Sequence, residues 1–273
     1  MAQRLTQKIS SLSEVINDYE NYFFDMDGVF WVGEDKIQTA VDQVNNLQKN
    51  NKNVFFITNN SSRSRQTYVE RLQKFGIKTE LKNVFSASSI VADYLVKKHP
   101  EVQKAYVVGM QGICEELQLK NVDYQFSDIH NNNDEVTVQE FKEMQPDKDI
   151  GAVIIGIDYH FNYRKLCYAS LCIQQGALFL ATNPDTHIMI GGRKMPGGGT
   201  GVNALATAVQ QEPILTGKPN RFIVDMLIQD YNLQREQCIM IGDNMDTDIK
   251  LGENSDISSL LVLTGNNYKL VLN

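Results

Sequence analysis

Short apolar runs alternate along this chain with stretches whose apolar residues recur every three or four positions. Tyr22-Phe23-Phe24, Val54-Phe55-Phe56-Ile57, Val84-Phe85-Ser86, Cys238-Ile239-Met240-Ile241 and residues 260–263 read as strands covered on both faces, the pattern of a parallel sheet. A short amphipathic segment at 12–19 leads into the first of them. Residues 39–49 place Val41, Val44 and Leu47 at helical spacing, and 66–75, 88–98 and 221–231 read as further helices. A second alternating series follows, with strands at 105–109, 152–156 and 177–181 and helices at 111–118, 163–175 and 202–210. Strands separated by helices predict an α/β fold with parallel sheets. The block from 99 to 212 is long enough to be a domain by itself, so residues 1–98 and 213–273 are expected to form the other domain around it. Asn131-Asn132-Asn133-Asp134 reads as an exposed loop. Gly197-Gly198-Gly199-Thr200-Gly201 fits neither a Walker A loop nor a dinucleotide fingerprint and reads as a flexible return connection.

Composition narrows this picture. A chain of 273 residues with 42% hydrophobic content can support a core and a second module. No run of 18 apolar residues occurs, and the first residues show no apolar stretch before a cleavage-like site, so the chain reads as cytoplasmic, with no membrane span. Cys114, Cys167, Cys172 and Cys238 are scattered and fit reduced core cysteines better than a zinc site or disulfides. A net charge of −7 argues against a nucleic-acid surface.

Candidate chemistry gathers where strands end. Asp25-Met26-Asp27-Gly28 follows the first aromatic run, Thr58-Asn59-Asn60-Ser61-Ser62 follows the second strand, Gly217-Lys218-Pro219 follows a short strand at 213–216, and Gly242-Asp243 follows Ile241. Open α/β sheets bind ligands at that edge. Singly, the first is also readable as a loop with two surface acids, and the second as a helix cap. Together they form a set suited to phosphoryl transfer onto a carboxylate. A phosphate and an ionised Asp25 repel by about 4 kcal/mol per unit charge pair at roughly 4 Å and an effective dielectric of about 20. A Mg²⁺ held by Asp25 and Asp243, with the ammonium of Lys218, would offset that repulsion. Asp25 would attack phosphorus, and Asp27 would protonate the leaving oxygen and then activate water.

The order Phe-Asp25-Met-Asp27-Gly28-Val, Ile-Thr58-Asn59-Asn60-Ser61, Gly217-Lys218-Pro219 and Ile-Gly242-Asp243-Asn-Met-Asp-Thr247-Asp248 resembles the haloacid dehalogenase-type phosphatase superfamily. The likeness covers nearly the whole chain. It is strongest to the branch of p-nitrophenylphosphatases, phosphoglycolate phosphatases, pyridoxal phosphatases and NagD-like nucleotidases. It implies a Rossmann-like parallel-sheet core with a large inserted α/β cap domain at 99–212, which in relatives covers the site and mediates dimers. It also implies Asp25 as nucleophile, Asp27 as general acid/base, Thr58 and Asn59 as phosphate holders and Lys218 as charge clamp. Mg²⁺ would be bound by the side chains of Asp25 and Asp243 and the backbone carbonyl of Asp27, with Asp248 orienting those ligands. Asn60 lies in the segment that lines the substrate entrance in relatives. The chain departs from the pattern after Thr264-Gly265, where relatives continue with a further helix and strand, and at Glu253-Asn254-Ser255-Asp256, where relatives often place glycines.

Rival readings are a receiver domain, a phosphomutase or ATPase of the same superfamily, and a non-catalytic phosphate-binding module. The substrate is expected to be a small phosphorylated metabolite. Asn183-Pro184-Asp185 is similar to the nucleotidase relatives, whereas Trp31 and the Thr58–Ser61 run are similar to the phosphoglycolate and nitrophenyl phosphatases, and pyridoxal phosphate is a further alternative. The position of Asp185 and His187 at the end of a cap strand makes them candidates for choosing among substrates.

Overall fold

Tyr22 and Phe24 pack to one side of the strand Asn21–Phe24 and Phe23 to the other, all of them buried, so this strand lies in the middle of a sheet. The computed structural model describes residues 9, 11–131 and 137–264. The order of the first sheet is Ser258–Leu261, Cys238–Gly242, Asn21–Phe24, Asn53–Thr58, Val84–Ser86, and every neighbouring pair is parallel. Strand order reverses at the central strand: the segments after it build outward on one side, and the C-terminal strands build on the other. Loops splay apart at such a switch point, leaving a crevice beyond the strand ends.

Helices cover both faces. Gln38–Lys49 buries Val41, Val44 and Leu47 against Tyr22, Phe24 and Phe56. Phe222–Tyr231 and Ala87–Lys98 close the opposite face over Phe23, Phe55, Ile57 and Met240. The latter helix begins at Ser86, whose side chain accepts from the Ser89 backbone N–H at 3.3 Å. Truncating a fully buried ring such as Phe23 to alanine would cost about 3–5 kcal/mol.

The second sheet has the same construction, in the order Ile214–Leu215, Leu178–Ala181, Ala152–Ile155, Lys104–Val108, Asp123–Phe126, again all parallel. Two features differ from expectation. The strand at 213–216, expected to resume the first domain, pairs through Ile214–Leu215 with Leu180 and Ala181, so the chain leaves the second sheet only after Leu215. The glycine cluster is not a flexible connection: the helix Gly198–Val209 starts within it. A Cβ on Gly197 would lie 2.2 Å from the Asp185 carbonyl oxygen, and one on Gly199 would lie 2.3 Å from that of Pro184. Glycine is required there because the 184–185 loop lies directly against the helix start.

The segment 12–19 forms only a 3₁₀ turn at Leu12–Glu14, and the last described strand lies two residues earlier than expected, at Ser258–Leu261. All four cysteines are free. Among the described residues no helix is long and apolar enough to cross a membrane. The Asn132–Asp134 part of the expected loop, and the stretch after Thr264, lie outside the described residues.

Candidate active site

Asp25 and Asp243 are the first residues past the two strands that flank the switch point, and hydrogen bonding sets their height: the Asp25 N–H donates to the Ile241 carbonyl at 2.8 Å. Carboxylate oxygens of Asp25, Asp243 and Asp248 lie within 4.8 Å of one another, and all three residues are buried. Asp248 enters from the π-helical turn Met245–Ile249, with Oδ2 accepting the Asn244 N–H at 3.1 Å. Gly242 makes room for it, since a Cβ there would sit 2.1 Å from Asp248 Oδ2.

Lys218 is buried between these acids. Its Nζ donates to Asp25 Oδ1 at 2.6 Å, to Asp248 Oδ1 at 2.7 Å and to the Ile57 carbonyl at 3.2 Å. Lys218 does not come from a strand of the first sheet. It stands on the loop that returns from Ile214–Leu215 in the second. Asn59 fixes that loop, accepting the Lys218 N–H at 2.9 Å through Oδ1 and donating Nδ2 to the Lys218 carbonyl at 3.0 Å.

Three carboxylates against one ammonium leave an excess of two negative charges when all are ionised. At about 5 Å and an effective dielectric of about 20, each like-charge pair costs roughly 3 kcal/mol. Burial holds the Asp25 carboxyl well above the ordinary carboxylate range; Lys218 opposes this, and Asp248 and Asp243 add to it. Burial pulls the Lys218 ammonium down, but Asp248 and Asp25 outweigh it and hold it above its ordinary value. This donor set, all oxygen and short of positive charge, fits a hard divalent cation. Gly28 leaves room for the Asp243 carboxylate in this set: a Cβ there would lie 2.5 Å from Asp243 Oδ2, and the residue's φ of +84° favours glycine in any case.

The side chain of Asp27 stands apart from this acidic group. It is exposed, with Oδ1 accepting the Trp31 indole N–H at 2.7 Å and Oδ2 accepting the Thr58 hydroxyl at 3.3 Å. Thr58 Oγ1 in turn accepts the Asn60 N–H at 3.0 Å. The Asn60 side chain caps its own loop, receiving the Ser62 N–H and hydroxyl at 3.0 and 2.7 Å.

Asp185 approaches this rim, with His187 close enough to act on its carboxyl. Asn59 Nδ2 lies 3.4 Å from Asp185 Oδ2, and burial raises the Asp185 carboxyl above its ordinary range. His187 is exposed at the start of a hairpin, His187–Ile190 with Arg193–Pro196, and its Nδ1 contacts Thr186 Oγ1 at 3.4 Å. Sequence reasoning set the stretch from Asn183 to His187 near the site but gave Asn183 no role of its own, yet its Nδ2 donates to the Asn59 carbonyl at 2.7 Å. Nor did it anticipate the direct contact of Asp248 with Lys218. The available signal for Asp248 was its spacing, five residues past Asp243 on a helical turn that folds back on the strand end.

Comparison with known proteins bears on this geometry. Residues 22–123 match the family model described as haloacid dehalogenase-like hydrolase, and 215–272 match a second model of the same hydrolases. The chain is 36% identical over 265 residues to the chloroplastic phosphoglycolate phosphatase 1A of Arabidopsis thaliana, covering 95% of this chain and 73% of that protein. This chain belongs to the haloacid dehalogenase-like hydrolases. Among them it lies with the phosphatases. The human glycerol-3-phosphate phosphatase is 33% identical over 263 residues, with 92% of this chain and 81% of that one covered. The structure of a p-nitrophenyl phosphatase from Archaeoglobus fulgidus superposes with a TM-score of 0.79 at 26% identity, covering 91% and 88% of the two chains. The α/β architecture with a second sheet-bearing unit is common to these folds.

Proposed function

We propose that this hydrolase cleaves small phosphate monoesters of the phosphoglycolate and glycerol-phosphate kind, through a phosphorylated Asp25 and with Mg²⁺ as cofactor. The observation that carries the reading is the buried placement of Lys218 between Asp25 and Asp248, with Asp243 in the same acidic group. An ammonium at 2.6 Å holds one Asp25 oxygen still, leaving the other to attack phosphorus. Asp25 and Asp243 side chains and the Asp27 carbonyl would hold Mg²⁺, and Asp248 would fix both Lys218 and that cluster. When bound, the cation supplies the charge that lets an anionic carboxylate meet an anionic phosphate.

Asp27 gives its proton to the leaving oxygen as the ester bond breaks, then accepts one from the water that attacks the acyl phosphate. Thr58 places its hydroxyl beside that transfer. The part proposed for Asn59 is to set Lys218, and for Asn60 to shape the 60–62 loop at the substrate entrance. Asp185 and His187 are proposed to select the leaving group from the cap, which starts at 99 and, with Ile214–Leu215 in its sheet, ends at 215 rather than 212; residues 1–98 and 216–273 are the proposed catalytic core. The exposed Met189, Ile190 and Met195 on the cap hairpin support pairing of two copies there. The reading implies a cytoplasmic enzyme with neither nucleic acid nor membrane as partner.

The test is a hydrolysis panel of phosphoglycolate, glycerol 3-phosphate, pyridoxal phosphate, nucleoside monophosphates and p-nitrophenyl phosphate with Mg²⁺, combined with borohydride trapping of the acyl phosphate. Turnover with the label mapped to Asp25 supports the proposal. A label on any other residue would overturn it.

A further inference from the structure

Trp31 is the single tryptophan of the chain, and it is 1% exposed. It ends the turn that follows the acidic pair, its carbonyl accepting the Gly28 N–H at 2.8 Å. The Arg71 guanidinium lies over its ring at 4.2 Å, and the rings of Phe75 and Phe30 pack at 5.8 and 6.4 Å. Arg71 is itself tied to the Gly33 carbonyl at 2.6 Å. A ring packed on these sides cannot turn, so its N–H has one direction, toward Asp27 Oδ1 at 2.7 Å.

An indole N–H donates and never accepts. In a protonated carboxyl group the carbonyl oxygen is the better acceptor, so an indole held against Oδ1 leaves the acidic hydrogen on Oδ2, where the Thr58 hydroxyl, 3.3 Å away, can turn to accept it instead of donating. We propose that Trp31 is a positioning residue for proton transfer: its N–H holds Oδ1 of Asp27 and so keeps the transferable proton on Oδ2. The inference rests on the proposed role of Asp27 as general acid. In that step the bond between phosphorus and the leaving oxygen breaks with its electron pair going to oxygen. The Oδ2 proton moves to that oxygen, and Asp27 is left as a carboxylate with Oδ1 still bonded to the indole.

Packing alone is the competing account of Trp31, and leaving-group dependence separates the two. Alkoxide departure needs the proton, whereas p-nitrophenolate departs with little help. Because kcat/KM reports events up to the first irreversible step, it isolates this transfer from later hydrolysis of the acyl phosphate. Trp31→Phe keeps an aromatic ring and removes the donor. It should lower kcat/KM for glycerol 3-phosphate by about tenfold or more, part of the 10²–10⁴ that general acid catalysis supplies, while p-nitrophenyl phosphate changes by less than about threefold. Equal losses on both substrates would overturn the proposal.

A second arm needs no turnover. With one tryptophan, the ¹⁵N–¹H spectrum carries one indole resonance. Asp27→Ala should shift it and speed its exchange with solvent, and an unmoved resonance would also overturn the proposal. Failure of the wild-type enzyme on every monoester would instead remove the phosphatase reading while leaving the indole measurement to stand.

Discussion

Past the strand ends of the first sheet stand Asp25 and Asp243, with Thr58 closing its own strand; past those of the second stand Gly109, Gly156 and the Thr182-Asn183 pair. The two sheets are built alike, with five parallel strands and helices alongside, and they meet at these ends. A Cβ on Gly156 would lie 2.8 Å from Ser61 Oγ and 2.9 Å from Thr182 Oγ1, and one on Gly112 would lie 2.4 Å from the backbone of Arg63. The loop at 59–63 is therefore pressed against a rim lined with small residues. The first rim concentrates charge, and the second removes side-chain bulk so that the charged rim can be covered. The scaffold determines where a ligand binds, and the one or two residues after each strand determine what happens to it.

The largest test of this contrast is Asp25→Asn. The amide cannot attack phosphorus, so turnover should fall by at least about 10⁴-fold, as when other enzymes lose a nucleophile. The thermal transition should persist, because the replacement is isosteric. Retained turnover would remove the charged rim from the chemistry. Exchanging Mg²⁺ for Ca²⁺ comes next. The larger ion takes up to eight oxygens and would draw Asp25 into its coordination, so activity should be lost in chelator, restored by Mg²⁺ and suppressed by excess Ca²⁺. Equal rates with either ion would show that the acidic group serves something other than in-line attack.

Substitutions on the second rim should act on choice and not on chemistry. Asp185→Ala and His187→Ala should change the ratio of kcat/KM between the best natural substrate and p-nitrophenyl phosphate by more than about tenfold, with the Mg²⁺ requirement intact. A common factor on both substrates would assign these residues to positioning the core. The smallest expected effect is Gly112→Ala. Helix propensity alone would favour alanine by about 1 kcal/mol, whereas crowding a packed contact costs about 1–3 kcal/mol. With Arg63 backbone at 2.4 Å the clash should win, and chemical denaturation should show a net loss of stability. A gain would mean that the 59–63 loop yields and the contact is less demanding than its geometry.

What the sequence conceals follows the same contrast. Strands covered on both faces, such as Asn21–Phe24 and Ala152–Ile155, are legible as apolar runs. Asp123–Phe126 is not, because an edge strand with one neighbour carries Asp and Gln among its aromatic residues. The hairpin His187–Ile190 with Arg193–Pro196 is mostly exposed, so no core pattern marks it, although its Gly191-Gly192 turn is a hairpin signal. Ile214–Leu215 is legible as a strand but not as to its sheet, since two residues carry no information about their neighbours. The acids and Lys218 stand out because strand ends are recognisable. The contacts of Asp248, Asn183 and Trp31 depend on turns and packing between distant segments, and spacing does not encode these.

The return path through Ile214–Leu215 has a consequence for anyone cutting the molecule into parts. Excising 99–212 looks, from the order of segments alone, like a route to a self-sufficient minimal enzyme. The span that carries Lys218 would then lose its pairing partner at Leu180–Ala181, together with the Asn183 and Asp185 contacts that brace Asn59. The second unit is therefore not a detachable accessory. It acts as the mount for Lys218, the first unit's only buried lysine among the described residues, so the two would have to be transplanted as one piece.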